Sequence, residues 1–355
     1  MRIGIDISQI VYGTGVSEYT LQLVKNLLFL DKENDYVLFG GSLRRGGEIK
    51  RMIGNMSGNY TLKILPVPPT ASDILWNRLH IFPVDNLIGK VDVLHSSDWS
   101  QPPTAAYKVT TVHDLAPILY PQFTHPRIVS VHKRRLDLVK KEVDMIIVPS
   151  QSTKEGLLDL GFSERKIQVI YEAASENFFP RSQDEVKRVK GQYGIKAKYL
   201  LTVGSGGRKN SERLTNAYKK IEDHDLELVI VGGSQAQSED GVIHTGFVTD
   251  DDLAALYTGS EAFVYPSLYE GFGIPVLQAM ACKTPVLASN TSSLPEVCGK
   301  AAVLIDPFKV ESISDGISEV LRQRTKYVKL GIEQVKKFSW EKTARETLKV
   351  YNNAR

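Results

Sequence analysis

The chain has 355 residues, 42% of them hydrophobic and 24% charged, with a formal net charge of only +3. That is enough chain for two domains of ordinary size, and so balanced a charge gives no electrostatic case for a nucleic-acid partner. The two cysteines, Cys282 and Cys298, have no metal-ligand spacing and argue against a disulfide framework; both read as buried thiols in a reducing compartment.

Residues 1–7 read as a first strand rather than a signal peptide. No apolar run approaches the roughly 20 residues that span a bilayer, so the expected location is cytoplasmic. Short β-rich runs follow at 36–39, 61–65, 91–94, 109–112, 145–148 and 167–170, with apolar residues at helical spacing over 16–30 and 127–143. Residues 180–198 turn polar and charged, a linker followed by a short helix. A second series of strands then runs 199–203, 228–231, 242–244, 262–265, 286–288 and 302–305, with helical patterns at 211–221, 250–257 and 274–282 and an amphipathic tail at 340–351. Strands alternating with helices predict parallel sheets covered by helices. The expected fold class is α/β, with two Rossmann-like doubly wound domains facing a cleft and split at 178/179. Ligands of such sheets bind outside the carboxyl ends of the strands, so chemistry is sought there.

Gly13-Thr14-Gly15 opens the first helix. Gly15 would let helix amides approach a phosphate or sugar, or the segment is simply a tight turn; the third glycine of a dinucleotide fingerprint is absent. His113-Asp114 ends a strand, where the imidazole can face a polar substrate or serve as a core histidine, and Asp114 suits capping or orienting. His95 and Asp98, after the preceding strand, are weaker candidates for lining an acceptor pocket. Gly204-Ser205-Gly206-Gly207 leads into Arg208-Lys209, a forked cation beside a compact one, suited to a departing diphosphate. Phe247 and Val248 would pack on a base, or belong to a capped loop at Thr249. Glu270 precedes the turn Gly271-Phe272-Gly273 and a helix opening at Ile274-Pro275, whose free amides favour an anion. A carboxylate beside an anion site suggests a phosphorylated ligand with hydroxyls, such as a nucleotide sugar. Asp223-His224-Asp225 has a metal-like form but reads as a polar turn, and the basic helix 132–141 reads as a solvated face, with contact to anionic lipid as the minority reading.

Taken together and in this order, these motifs resemble family 4 of the retaining glycosyltransferases, with the GT-B fold, and within it bacterial mannosyltransferases of surface polysaccharides. The most specific block is Tyr269 to Leu277 followed, after Gln278, by Ala279-Met280-Ala281-Cys282. The resemblance implies that Arg208 and Lys209 hold the donor diphosphate, that amides of Gly271, Phe272, Gly273, Ile274 and Gly15 add phosphate contacts, with Gly206 in the donor loop, and that Phe247 and Val248 meet the base. It sets Glu270 beside the donor sugar and His113 beside its reacting face. It implies no divalent metal and no cofactor beyond the nucleotide-sugar co-substrate, a glycan or lipid-linked glycan acceptor bound to the N-terminal domain 1–178, donor binding in 179–339, and a terminal helix 340–355 crossing back to the first domain. The family's second glutamate is Gln278 here. A neutral amide loses the charge-assisted bond to ribose. The expected activity is retaining hexosyl transfer, mannose from GDP-mannose first, by a cytoplasmic enzyme with the inner membrane surface as its peripheral site. A non-catalytic sugar-nucleotide or glycan-binding subunit is the alternative, and a sugar-nucleotide epimerase the third reading.

Overall fold

The computed structural model describes residues 1–221, 223, 225–233 and 241–354. His224 of the polar turn lies outside them; beside it, the Asp223 carboxylate accepts the Asp225 amide at 3.0 Å. The chain divides into two compact units, Met1–Glu172 with Trp340–Arg355, and Ala173–Ser339. The division falls a few residues before 178/179, because Phe178 packs edge-on against Tyr257 and the Phe179 carbonyl accepts from the Cys282 thiol.

Unit one holds the strands β1 Arg2–Asp6, β2 Asp35–Gly41, β3 Tyr60–Leu65, β4 Val93–Ser96, β5 Tyr107–Thr111, β6 Met145–Val148 and β7 Ile167–Val169. All pair in parallel, in the order β3-β2-β1-β4-β5-β6-β7. Chain order reverses between β1 and β4, and that switch point opens a crevice at the strand ends. Unit two holds β8 Lys198–Val203, β9 Leu226–Val231, β10 Val242–Gly246, β11 Ala262–Tyr265, β12 Val286–Ser289 and β13 Ala302–Ile305, in the parallel order β10-β9-β8-β11-β12-β13. Its switch point lies between β8 and β11. The central strands are runs of Val, Ile, Leu and Phe because both faces of a parallel sheet are covered; β11, β12 and β6 illustrate it, with Phe263, Val264, Leu287 and Ile147 fully buried.

The helix Trp340–Asn352 belongs to unit one and packs on the helix Gly15–Leu30. Its inner face buries Trp340, Ala344, Val350 and Tyr351, and each large apolar side chain so buried stabilises the fold by roughly 1.5–3 kcal/mol. Polar bonds fix its register: Thr343 Oγ1 donates to the Tyr171 carbonyl at 2.6 Å, and the Tyr351 hydroxyl lies 2.6 Å from His95 Nδ1. The basic helix Pro126–Glu142 corrects one expectation. Its run is not wholly solvated: Arg135 is buried and donates to the carbonyls of Ser97 and Thr111 and the hydroxyl of Thr110. Burial pulls its pKa down to about 10. Lys133, Lys140 and Lys141 stay exposed.

Candidate active site

In unit two, β8 ends in a loop bent by Gly204 and Gly206, whose φ values are +89° and +98°. A Cβ on Gly204 would lie 3.0 Å from Lys209 Cγ, so glycine lets the lysine stem cross the backbone. Buried Asn210, at φ +60°, clamps the loop to the ends of β11 and β13 by donating to the carbonyls of Pro266 at 3.1 Å and Pro307 at 2.7 Å. The Leu268 amide donates to the Arg208 carbonyl at 2.9 Å. These ties hold both cations beside Glu270. Lys209 Nζ is 2.6 Å from Glu270 Oε1 and Arg208 Nη1 is 3.2 Å from Oε2. Lys209 also donates to the Tyr265 hydroxyl at 2.5 Å, and Arg208 to the Tyr269 carbonyl at 2.5 Å.

Glu270 is only 8% exposed. Burial alone would raise its pKa; the charges of Lys209 and Arg208 and the Lys209 hydrogen bond outweigh that and hold it at about 2. Two cations thus converge on one carboxylate at the carboxyl end of β8, where an anionic ligand would be met. The turn after Glu270 is fixed from below. Its own amide donates to Ser292 Oγ at 3.0 Å, and Ser293 Oγ donates to the carbonyls of Glu270 and Phe272 at 3.0 and 2.8 Å. Gly273 has φ +102°, and a Cβ there would come 2.7 Å from Leu294 Cδ2. The helix Ile274–Ala281 starts directly after it, with Pro275 in the first turn and no side-chain cap. Phe272 turns inward, edge-on to Phe338 at 5.8 Å, so what it offers a ligand is its backbone. Gln278 sits one turn into this helix, half-buried, its Oε1 3.4 Å from the Tyr257 hydroxyl. Just past β10, Phe247 is 84% exposed while Val248 is buried. Only the phenylalanine presents its side chain to solvent; Val248 can serve a base through its main chain alone.

In unit one, Gly13 has φ +65° and Thr14 caps the helix Gly15–Leu30 in a reciprocal box with Ser17. A Cβ on Gly15 would meet nothing within 4 Å; glycine here keeps the helix's first turn open rather than relieving a clash. His113 follows β5, its Nδ1 3.3 Å from Glu172 Oε1 and its ring edge-on to Tyr19 at 4.6 Å. Burial pushes the imidazole down, yet the Glu172 hydrogen bond and charge, with Asp98 and Asp114, win and raise its pKa. Asp114 accepts the Ala116 amide at 2.8 Å, a capping role. His95 departs from the acceptor-pocket reading. It is 4% exposed, with Nδ1 beside the Tyr351 hydroxyl and Nε2 2.9 Å from Thr111 Oγ1. Burial, with the charges of His113 and Arg135, lowers its pKa to about 3, so it is a neutral core histidine.

Asp98 is half-buried at the wall of a cavity of about 450 Å³ at the β1/β4 switch point. Trp76, Trp99, Tyr12 and Ile128 supply apolar walls, and Asp6, Gln9 and Asp98 polar ones. Gln9 Oε1 is buried and takes no hydrogen bond within the described residues, while its Nε2 donates to Thr20. Aromatic faces beside a few convergent polar groups suit a polyhydroxylated ring. Sequence reading missed Glu172, Tyr19, Tyr265, Trp99 and Gln9. Glu172 alone carried a signal, as an acidic residue just beyond a strand end.

Residues 13–175 match the family described as Glycosyltransferase Family 4, and residues 183–337 the one described as Glycosyl transferases group 1. Among curated relatives, O-antigen chain mannosyltransferase B of Escherichia coli is 29% identical over 95% of this chain and 96% of its own length. The serotype-specific mannosyltransferase WbdA of Escherichia coli is 31% identical over 66% of this chain, which spans about a third, 32%, of that relative. Among solved structures, sucrose-phosphate synthase from Thermosynechococcus elongatus superposes with a TM-score of 0.72 at 19% identity, over 99% of this chain and 98% of its own. WaaG, a glycosyltransferase of lipopolysaccharide biosynthesis, does so with 0.72 at 13% identity, over 98% and 99%. The fold they share with this chain is the GT-B fold of two parallel α/β units.

Proposed function

We propose that this chain transfers a mannosyl residue from GDP-mannose to a sugar hydroxyl of a growing glycan, with retention of anomeric configuration. It belongs to glycosyltransferase family 4, so the proposal concerns the donor, the acceptor and the stereochemistry rather than the class of enzyme. The observation that carries it is the Arg208–Lys209–Glu270 cluster at the end of β8, beside the open helix start at Gly273–Ile274. A diphosphate placed there takes the cations' donors and the helix amides together.

In the proposed step, the bond from the anomeric carbon to the diphosphate oxygen breaks and the acceptor oxygen bonds that carbon on the same face. The acceptor proton passes to the leaving diphosphate. Arg208 and Lys209 stabilise the charge that develops on the leaving group, the work a divalent metal does elsewhere, so no metal is invoked. Glu270 orients Lys209 and binds the donor sugar. Phe247 stacks on the base, and Gln278 meets the ribose in place of a glutamate. In unit one, His113 is held by Glu172, and the switch-point cavity with Asp98 and Gln9 takes the acceptor ring. The similarity to O-antigen mannosyltransferases supports mannose.

The test measures GDP release and glycan extension with GDP-mannose and a mannose-terminated acceptor, beside thermal shifts with GDP- and UDP-sugars. A bound donor at about 100 times its dissociation constant adds roughly 2.7 kcal/mol. Extension with an α-linked product supports the reading. Stabilisation without any turnover would shift the assignment to a non-catalytic binding subunit, and no response to any nucleotide sugar would sink both.

A further inference from the structure

Two of the partners of Lys209 are of unequal kind. Its Nζ lies 2.6 Å from Glu270 Oε1 and 2.5 Å from the Tyr265 hydroxyl, but 4.7 Å from the centre of the tyrosine ring. The ammonium therefore sits at the hydroxyl end of the ring rather than over its face, and the oxygen is the tie. Tyr265 closes β11, is 1% exposed and stacks on Phe263 at 5.3 Å, so its hydroxyl is a fixed point. Burial and the Glu270 charge, against that of Arg208, raise the phenol well above its ordinary pKa. It stays protonated, takes the Lys209 hydrogen bond on its oxygen and keeps a proton of its own to give.

A diphosphate bound here must share that ammonium, and the two ties do not cost the same to give up. Glu270 is buried and ionised; pulling Lys209 away from it would leave a buried charge short of a partner. The Tyr265 tie runs to a neutral oxygen, and such a bond is weaker than one between two charged groups. Giving it up strands nothing, because the hydroxyl still has Glu270 to donate to. One more group stands by for the change. Ser267 Oγ, on a residue with no exposed surface, has no hydrogen-bond partner of good geometry among the described residues, yet it faces both Tyr265 and Glu270. It can bond either as the network re-forms.

We propose that Tyr265 is a positioning residue of the donor site: its hydroxyl holds Lys209 Nζ until a diphosphate oxygen takes its place, while Lys209 keeps its bond to Glu270 throughout. This rests on the diphosphate reading above. Only hydrogen bonds are exchanged, and no proton changes owner. Tyr265 thereby competes with the diphosphate for Lys209. It loosens the hold on the spent nucleotide, and product release is the step that limits turnover in many enzymes.

The experiment titrates inorganic pyrophosphate into the full chain and into Tyr265→Phe, following tyrosine absorbance by difference spectroscopy and binding by calorimetry. Pyrophosphate has neither base nor ribose, so Tyr257, the partner of Gln278, stays out of the signal. The expected result is a saturable tyrosine difference spectrum in the wild type and its loss in the variant. Pyrophosphate and GDP should also bind the variant about fivefold more tightly, the weight of one hydrogen bond that no longer has to break. The variant keeps the ring and its stack on Phe263, and the wild-type spectrum is a test that needs no variant. Binding with no tyrosine signal in the wild type, a signal that survives in Tyr265→Phe, or equal or weaker binding by the variant would each overturn the proposal and leave the donor reading standing. No binding of pyrophosphate, GDP or UDP would remove both.

Discussion

Glu270 in unit two and Glu172 in unit one are both buried carboxylates beside a cationic group, yet they are built differently. Glu270 meets two cations that are neighbours in the chain, on a loop where Gly204 lets the Lys209 stem cross the backbone. Glu172 meets one imidazole, which leans on Tyr19, and a relay continues from the Tyr19 hydroxyl to Thr111, His95 and Tyr351. The first site is a charge cluster whose two cations are adjacent in sequence, with Glu270 brought to Lys209 across 61 residues. The second is a hydrogen-bonded network made by tertiary structure. The comparison teaches that removing charge should dominate in unit two, and that loss of orientation should dominate in unit one.

The strongest way to break that contrast is Lys209→Ala. Losing a donor that stabilises a leaving group costs roughly 10²–10³ in turnover, and it strands Glu270 with Arg208 alone. Steady-state kinetics on the folded variant checks this; full activity would remove the diphosphate assignment.

Glu172→Gln sharpens the other side. It keeps the shape but removes the charge that raises His113, so turnover should fall by about tenfold and the alkaline limb of the pH profile should move to lower pH. The sign for stability follows from the raised pKa of His113 above its ordinary 6.5. The folded state holds the proton more tightly, so the pair's contribution is fully present below about pH 6.5 and is lost as pH rises through the folded pKa. Urea midpoints of wild type and variant should therefore differ most in mild acid and converge in mild alkali. A gap that widened with pH would refute the assigned pair.

The smallest effect is expected at Gln278. Gln278→Glu restores a charged acceptor for ribose, and a charge-assisted bond exceeds a neutral one by about 1 kcal/mol, roughly fivefold in donor affinity. Calorimetric titration of GDP into both proteins measures it. Weaker binding in the variant would show that the amide is tuned to this chain's own donor, with the Tyr257 hydroxyl as its fixed partner.

Much of the fold was legible because a parallel strand buried on both faces must be a short apolar run. Runs at 145–148, 262–265 and 302–305 coincide with β6, β11 and β13 to the residue. Other edges moved by a residue or two, as at β2, where polar Asp35 and glycines at 40 and 41 still join the ladder. The donor-side residues were legible for the same local reason: Gly204 to Lys209 and Glu270 to Ile274 are contiguous. What stayed hidden depends on long-range contact. Nothing near Arg135 marks it as buried, since its partners Ser97 and Thr110 come from other elements. His95 looked like a strand-end ligand until the terminal helix supplied Tyr351. Glu172 has no periodicity tying it to His113.

The terminal helix has a consequence for the order of synthesis. Unit one is interrupted: residues 173–339 emerge from the ribosome before 340–352 can settle on Gly15–Leu30. Until then Tyr351 is missing from His95, Trp340 from its edge contact with Tyr19, and the first-made half waits with an uncovered helix face. Unit two, continuous in sequence, can fold as soon as its last helices, which bury Ile313, Ile317, Val320 and Tyr327 in its core, are out. The nascent enzyme thus completes its anion-binding half before its first half can close.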